Sequence, residues 1–222
     1  MKIYGFVATS TVDYPSKLVS TIFLGNCNLD CIYCHNRELI KPQNLEEVIS
    51  EEELINYLKK RKNIIDGICI SGGEPSLHGD KLIGFIKKLK DDLGKDFLVK
   101  IDTNGTNSEF ILEAMNFIDY IAMDYKTYNY QKNLNIEKSE ILKSMEILRT
   151  SNLAYEIRIT MYPPYVPLED IPKMIQELKG VSLVYLQKYK EIESNNGYNY
   201  TLEDLENIRK EFTKNNIECY VR

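Results

Sequence analysis

The sequence predicts an α/β fold, specifically a partial (β/α)6 TIM-like barrel with parallel strands and an open lateral side. Short apolar runs alternate with amphipathic helical segments along the 222 residues, a pattern typical of parallel strands joined by right-handed helical crossovers. Polar motifs follow several of these runs. The carboxyl ends of such strands share one face of a barrel or one edge of an open sheet. Six principal strand–helix units are few for closing an eight-stranded barrel, which favours a partial one.

The individual elements are predicted from hydrophobic periodicity and from the residues at their ends. Ser50 and Glu53 form a capping box that starts the first helix, Gly94 ends the second helix, and Ser108 is a suitable N-cap for the third. The principal strands are predicted at residues 18–24, 66–70, 97–101, 120–123, 155–159 and 183–186. The helices are predicted at 50–60, 80–93, 108–116, 136–150, 168–178 and 201–215. Short strands are predicted at 1–5 and 217–221, and a loop at 193–199.

Composition limits the class of protein. The chain is 43% hydrophobic with a formal net charge of −5, which suits a single globular domain over residues 1–222. Its basic and acidic residues are interleaved as on a solvated surface, so nucleic-acid binding is not expected. The sequence has no apolar run of transmembrane length and no apolar leader, so we expect a cytoplasmic protein without a membrane partner.

Three of the five cysteines form a tight cluster, Cys27, Cys31 and Cys34. In a cytosolic chain such clustering favours a metal site over disulfides. Three interpretations compete. The run from Cys31 to His35 matches a haem attachment pattern, but that chemistry normally belongs to exported proteins. Three cysteines with His35 could form a zinc site, although His35 is too close to Cys34 for an ordinary finger. Three thiolates could instead hold three irons of a cubane cluster and leave the fourth iron open.

A second run, Ser71-Gly72-Gly73-Glu74-Pro75, follows the second principal strand. A glycine pair allows the backbone to approach a ligand closely, and the Glu74 carboxylate can accept a hydrogen bond from an ammonium group. By itself, such a pair is usually only a turn. Its position after a strand, in a chain that also has the cysteine run, favours a binding site.

Together the two runs resemble the motifs of the radical S-adenosylmethionine superfamily. The resemblance implies a [4Fe-4S] cluster held by Cys27, Cys31 and Cys34, with S-adenosylmethionine chelating the open iron. In that family one electron from the cluster cleaves the cofactor, and the resulting 5′-deoxyadenosyl radical abstracts a hydrogen atom. Tyr33 matches the aromatic position that lies near the adenine, with loop packing as the alternative. The remaining cysteines, Cys69 and Cys219, are interpreted as small packed residues.

Later strand ends resemble those of pyruvate formate-lyase activating enzyme, where such residues contact the cofactor and aspartates help to hold a monovalent cation. The resemblance gives these roles to Asp102, Thr103, Asp124 and Lys126. Arg158 could meet the cofactor carboxylate or the substrate backbone, or could pair with an acid. Gln187 and Tyr189 are weaker candidates. The full set of predicted cofactor-binding residues is Tyr33, Asn36, Gly72, Gly73, Glu74, Asp102, Thr103, Asp124, Lys126 and Arg158.

The runs Asp13-Tyr14-Pro15 and Cys34-His35-Asn36 resemble the activases of glycyl radical enzymes, most of all the short activating proteins of anaerobic ribonucleoside-triphosphate reductase. The resemblance implies a glycyl radical enzyme as partner and an electron donor such as flavodoxin or ferredoxin. Asp13 and Arg158 are candidates for gripping the glycyl loop. Two alternatives stay open: a small-molecule radical enzyme resembling 7-carboxy-7-deazaguanine synthase, and a zinc-binding interaction module.

Overall fold

The computed structural model describes residues 1–190 and 199–222, and the predicted loop at 193–199 lies outside the described residues except for Asn199. The sheet has eight strands, and each lies beside its neighbours in the sequence. The strands are β1 Ile3–Ser10, β2 Val19–Leu24, β3 Gly67–Gly72, β4 Leu98–Thr103, β5 Tyr120–Asp124, β6 Ala154–Met161, β7 Leu183–Lys188 and β8 Glu218–Val221.

Most of these strands pair with their neighbours in parallel. β1 runs antiparallel to β2, whereas β2–β3, β3–β4, β6–β7 and β7–β8 are parallel pairs. The six predicted principal strands correspond to β2 through β7, and the two predicted flanking strands to β1 and β8. The α/β class with parallel strands is therefore confirmed.

Seven α-helices connect or flank the strands in the described parts of the chain. They are α1 Glu51–Arg61, α2 Gly79–Leu93, α3 Ser108–Ala114, α4 Tyr130–Leu134, α5 Ser139–Thr150, α6 Ile171–Glu177 and α7 Leu202–Lys214. The predicted capping box of α1 is present, because Ser50 accepts from the Glu53 amide and Glu53 accepts from the Ser50 amide. Thr201 and Asp204 form the same arrangement at α7. Within those parts, none of the helices is long and apolar enough to cross a membrane.

Several predicted helix boundaries differ from the structure. The helix predicted at 136–150 begins at Ser139 and is preceded by the separate short helix α4. The helix predicted at 168–178 begins as a 3₁₀ turn, and α6 follows with a proline in its first turn, the position that proline tolerates. Ser108 is the first residue of α3 rather than its cap, and its hydroxyl donates to Glu140 Oε2 at 2.7 Å.

The chain divides into two compact units. The first unit contains residues 1–30, 36–103 and 109–121, and the second contains 31–35, 104–108 and 122–222. The first unit carries β1 to β4 with α1 and α2. The second carries β6 to β8 with α4 to α7. That residues 1–222 form a single domain therefore stays a prediction.

In the first unit the strands separate an apolar face from a polar one. Ile22, Ile70 and Ile101 pair in register across β2, β3 and β4, and all three are fully buried. The alternate positions Thr21, Cys69 and Lys100 also pair in register. Because successive side chains point to opposite faces of a strand, these three share the other face. Lys100 is thus a buried basic residue on the polar face of these strands.

The second unit shows the same division. Ile157 and Val184 pair in register and are fully buried, whereas Arg158, Tyr185 and Tyr220 form a line on the opposite face. Glu156 lies two residues before Arg158 and therefore on the same face. Its buried carboxylate accepts from Arg222 Nη2 at 2.7 Å. In each unit, then, the face opposite the apolar core carries polar and ionised groups.

Candidate active site

The cysteine run follows directly on β2. Asn26 turns the chain with a positive φ of 69°. Its amide donates to Leu39 O at 2.8 Å, and the amide of Cys27 donates to Ile40 O at 3.2 Å. These two hydrogen bonds tie the start of the cysteine run to the segment that follows it. Within the run, the amide of Cys34 donates to Cys31 O at 3.0 Å and so closes a turn.

The donor chemistry of this run fits an iron–sulfur cluster. None of the five cysteines, all of which lie in the described parts of the chain, forms a disulfide, and Cys31 is buried while Cys27 and Cys34 are partly exposed. Three thiols can ligate three irons of a cubane and leave the fourth available. Among the described residues, no three His, Cys, Asp or Glu side chains are already grouped as a metal site. The assignment of the three ligands therefore rests on the spacing of the three cysteines and on their thiol chemistry, and stays a prediction.

The Gly-Gly-Glu-Pro run supports the entry to the cysteine run. The Gly73 amide donates to Leu24 O at 2.8 Å, and the Glu74 amide donates to Asn26 O at 2.7 Å. A Cβ at Gly73 would lie 2.1 Å from Asn26 O, and a Cβ at Gly72, which has φ +121°, would lie 2.3 Å from the Leu24 backbone. The two glycines thus allow the end of β3 to pack closely against the backbone of Leu24 and Asn26. Their predicted contact with a cofactor stays a prediction.

Glu74 is buried and bonded to the protein. Only 1% of the residue is exposed. Its Oε1 accepts hydrogen bonds from the Ser76 amide at 3.0 Å and from Thr103 Oγ1 at 2.6 Å. The carboxylate therefore caps the 3₁₀ turn that follows it and joins two of the predicted cofactor-binding residues, Glu74 and Thr103. Its predicted role toward an ammonium group stays a prediction.

Asp102 is the centre of a second polar group in the first unit. Lys100 Nζ forms an ion pair with Asp102 Oδ1, and Ser71 Oγ donates to Oδ2 at 3.1 Å. Lys100 Nζ also lies 3.7 Å from Cys69 Sγ. Lys100 was not among the residues predicted for the site. The signal that could have found it is a lysine at an alternate position of an otherwise apolar strand.

Asp13 occupies the same polar face of the first unit as this group. Its Oδ2 accepts from Thr21 Oγ1 at 2.6 Å, and Thr21 pairs in register with Cys69. Nearby, Tyr14 is buried, and burial, with smaller effects of Asp119 and Cys69, raises its pKa to about 12. Asp13 therefore contacts Thr21, the first member of the row Thr21, Cys69 and Lys100 that pairs in register across β2, β3 and β4.

Asp124 is the centre of the charged group in the second unit. Lys126 Nζ donates to Asp124 Oδ2 at 2.7 Å, and Arg158 Nε donates to Oδ1 at 2.8 Å. Burial lowers the pKa of Lys126, but the charges of Asp124, Tyr33 and Cys31 outweigh burial and hold that pKa well above its ordinary value. Lys126 thus remains an ammonium group. Arg158 is paired with an acid, as one of its predicted alternatives has it, and its predicted contacts with the cofactor or the substrate stay predictions.

Tyr33 lies in a group of four aromatic rings, called here the tyrosine cluster: Tyr33, Tyr162, Tyr165 and Tyr189. The Tyr33 ring centroid lies 5.4 Å from that of Tyr162, 5.1 Å from Tyr165 and 6.4 Å from Tyr189. Burial raises the pKa of Tyr33, and in the described structure its hydroxyl has no hydrogen-bond partner. A buried hydroxyl without a partner is energetically costly, which makes this atom a candidate for contact with a ligand.

The end of the cysteine run is held by single contacts. Asn36 is partly exposed and precedes the 3₁₀ turn Arg37–Leu39, and its carbonyl accepts from the Leu39 amide at 3.0 Å. Its side chain does not cap that turn. His35 Nε2 lies 3.0 Å from Lys190 O. Among the weaker candidates, Tyr189 belongs to the tyrosine cluster, and Gln187 pairs in register with Thr160.

Comparison with known proteins identifies the family. The model of the radical SAM superfamily matches residues 21–178. The chain belongs to the radical SAM superfamily. The superfamily implies a [4Fe-4S] cluster and S-adenosylmethionine as cofactors, and it identifies the protein as an enzyme.

Sequence relatives narrow the class within the superfamily. A protein of Methanocaldococcus jannaschii named as a glycyl-radical enzyme activating enzyme is 34% identical over 85% of this chain and 80% of its own length. Pyruvate formate-lyase 1-activating enzyme of Escherichia coli is 24% identical over 95% of this chain and 91% of its own length. The 4-hydroxyphenylacetate decarboxylase activating enzyme of Clostridium scatologenes is 26% identical over 86% and 70%. These relatives support a general activase function.

Solved structures share the fold. A radical SAM methyltransferase from Sphaerobacter thermophilus matches with a TM-score of 0.70 and 13% identity over 94% of this chain and 67% of that one. The structure of anSMEcpe with bound AdoMet matches with a TM-score of 0.66 and 17% identity, over 90% of this chain and 61% of that one. The likeness to these structures, one of them a radical SAM methyltransferase, confirms the predicted fold class, a partial TIM-like barrel.

The contact between Gly73 and Asn26 predicts a stability difference between two glycine variants. Gly73→Ala places a Cβ against Asn26 O, and we expect the free energy of unfolding to fall by about 1–3 kcal/mol, as in other overpacked sites. Gly84→Ala is the control, because Gly84 lies inside α2 and a Cβ there meets nothing within 4 Å. That variant should gain about 0.5–1 kcal/mol. Equal midpoints in chemical denaturation of the two apoproteins would contradict the contact.

The hydroxyl of Tyr33 predicts an unusual effect of its removal. Tyr33→Phe deletes a buried hydroxyl without a partner in the described structure, so we expect the apoprotein to be more stable by about 1 kcal/mol. In the matched control, Tyr130→Phe, the lost hydroxyl accepts from the Lys126 amide at 2.9 Å, and stability should fall by about 1 kcal/mol. Chemical denaturation measures both changes. A loss in Tyr33→Phe as large as that in Tyr130→Phe would show that the Tyr33 hydroxyl is satisfied.

Proposed function

We propose that this enzyme is the activating protein of an anaerobic ribonucleoside-triphosphate reductase, and that it installs a glycyl radical on that partner. The observation that carries the proposal is the 34% identity, over 85% of the chain, to a protein named as a glycyl-radical enzyme activating enzyme. The choice of reductase rests on the resemblance of the Asp13-Tyr14-Pro15 and Cys34-His35-Asn36 runs. When bound, the cluster and S-adenosylmethionine supply the radical that removes a glycine Cα hydrogen.

In this proposal Cys27, Cys31 and Cys34 hold the cluster. The other two cysteines are unsuitable because they are packed within strands. Cys69 is fully buried in β3, and Cys219 is buried in β8, where burial raises the pKa of its thiol to about 12. A thiol that resists deprotonation is a poor ligand for iron, since the thiolate is the ligand.

The proposed cofactor contacts supply charges of both signs. In the first unit, Gly72 and Gly73 shape the backbone at the end of β3, and Glu74, Asp102 and Thr103 follow as polar groups. In the second unit, Lys126 and Arg158 are cations beside Asp124, and Tyr33 offers an aromatic ring. A methionine moiety has an ammonium and a carboxylate group, so binding it requires anionic and cationic side chains alike. Asn36, partly exposed after the cysteine run, is the remaining proposed contact.

The proposed substrate is a glycine in an extended loop of the partner protein. Glycine has no side chain to shield its Cα–H, so the enzyme needs to hold only the loop backbone. Asp13 is a suitable acceptor for a backbone amide because Thr21 fixes its carboxylate by one oxygen. Arg158 is the corresponding donor. We propose flavodoxin or ferredoxin as the electron donor and the cytoplasm as the location.

The ligand assignment predicts a clear division among cysteine variants. Replacing Cys27, Cys31 or Cys34 with Ala should abolish the brown colour of the anaerobically reconstituted protein and its iron content of about four per chain. Cys69→Ala and Cys219→Ala are the controls and should keep both. Iron analysis and the visible absorption spectrum measure the outcome. Loss of the cluster in Cys69→Ala together with its retention in Cys27→Ala would refute the assignment, and a colourless protein containing zinc would favour the interaction module.

The substrate assignment predicts a glycyl radical on the partner. Reduced protein, S-adenosylmethionine and an anaerobic ribonucleotide reductase are mixed without oxygen, and the electron paramagnetic resonance spectrum is recorded. We expect a doublet, because the unpaired electron couples to the one hydrogen left on Cα. The control is partner protein deuterated at glycine Cα, and in its spectrum the doublet should collapse. Turnover of a free small molecule without a radical on any partner would favour the small-molecule enzyme instead.

A further inference from the structure

Lys100 is a buried cation in the first unit. Its side chain is 3% exposed, and its Nζ forms an ion pair with Asp102 Oδ1. An isolated ammonium in such a place is very unfavourable unless an anion neutralises it. Lys100 Nζ also lies 3.7 Å from the thiol of Cys69. The Asp102 carboxylate is therefore the ion-pair partner of the Lys100 ammonium, and each compensates the charge of the other.

Both oxygens of Asp102 are engaged by the chain. Oδ1 faces Lys100, and Oδ2 accepts from Ser71 Oγ at 3.1 Å. The carboxylate is 15% exposed, so solvent does little to weaken the pair. An alkali ion placed on this carboxylate would lie within a few ångströms of the Lys100 ammonium. Like charges at that distance repel strongly in a poorly solvated environment.

Asp124 in the second unit has the same form of compensation. Lys126 engages Oδ2 and Arg158 engages Oδ1. The two aspartates that the resemblance assigns to a monovalent cation are thus each paired with positive side chains of this protein. The residues present do not fit an added alkali ion, because the negative charge that would bind it is already neutralised in both units.

We infer that Lys100 is the cation that accompanies Asp102 in this enzyme, and that binding of S-adenosylmethionine requires no sodium or potassium ion. Lys100 is a positioning residue: it fixes and neutralises the carboxylate of Asp102. The inference rests on the proposed function in so far as Asp102 belongs to the cofactor site. The ion pair itself does not depend on that function.

The first experiment measures the affinity of the reconstituted protein for S-adenosylmethionine in choline, sodium and potassium chloride of equal ionic strength. The wild type should give the same Kd within about twofold in all three salts. Lys100→Met has similar length without the charge, and its Kd in choline should be weaker by about tenfold. We expect potassium to restore much of that loss, because it can replace the missing positive charge beside the Asp102 carboxylate. Lys95→Met, at an exposed lysine of the preceding loop, should behave as the wild type.

The second experiment follows thermal unfolding of the apoproteins in the same salts and needs no cofactor. Potassium should raise the melting temperature of Lys100→Met relative to choline, and should leave the wild type and Lys95→Met unchanged. If Lys100→Met does not fold in choline, the Lys100→Met, Asp102→Asn double variant removes both charges. It should fold without any response to potassium.

The outcomes separate the inference from the proposed function. A saturable tightening of wild-type cofactor binding by potassium, or a rise in wild-type melting temperature specific to one alkali ion, would overturn the inference. So would a Lys100→Met variant that matches the wild type in every salt. If no protein bound S-adenosylmethionine, the proposed function would fail, and the melting series would still decide whether Lys100 is the cation at Asp102.

Discussion

The contact on which the proposed site depends is that between two backbone segments, at Gly73 and Asn26. Asn26 O accepts from the Glu74 amide and leaves space for nothing larger than hydrogen on Gly73 Cα. Asn26 immediately precedes Cys27. The end of β3 therefore fixes where the cysteine run begins, and the same strand end leads into Glu74. Two motifs far apart in the sequence are in this way parts of one local structure.

Charge compensation organises the rest of the site in each unit. Asp102 is paired with Lys100, and Asp124 with Lys126 and Arg158. These pairs are shielded from solvent, where desolvation makes an unpaired charge expensive and a paired one tolerable. The strand faces opposite the apolar cores can therefore carry ionised groups without loss of the fold. In each unit these charged side chains are held in place by their partners within that unit.

Sequence patterns predicted the fold class and the positions of the strands well, because buried parallel strands and capped helices have strong local signals. The capping box of Ser50 and Glu53 is such a signal. The sequence patterns failed where tertiary contacts determine the end of an element. The helix expected at 136–150, for example, begins at Ser139. The candidate residues could be placed at strand ends by spacing and resemblance. The partners of Asp102 and the tyrosines around Tyr33 could not, since residues distant in sequence meet only in the folded chain.

The tyrosine cluster gives this enzyme a built-in optical probe. The chain has 16 tyrosines and no tryptophan, so its ultraviolet emission and near-ultraviolet circular dichroism come from tyrosine without the stronger indole signal above them. Tyr162 and Tyr189 have ring centroids 4.7 Å apart, close enough for their electronic transitions to couple. Tyr33, which lies between Cys31 and Cys34 in the sequence, packs its ring against both of these tyrosines. Rearrangement of the cysteine run is therefore coupled, through one aromatic ring, to a spectral band that needs no added label.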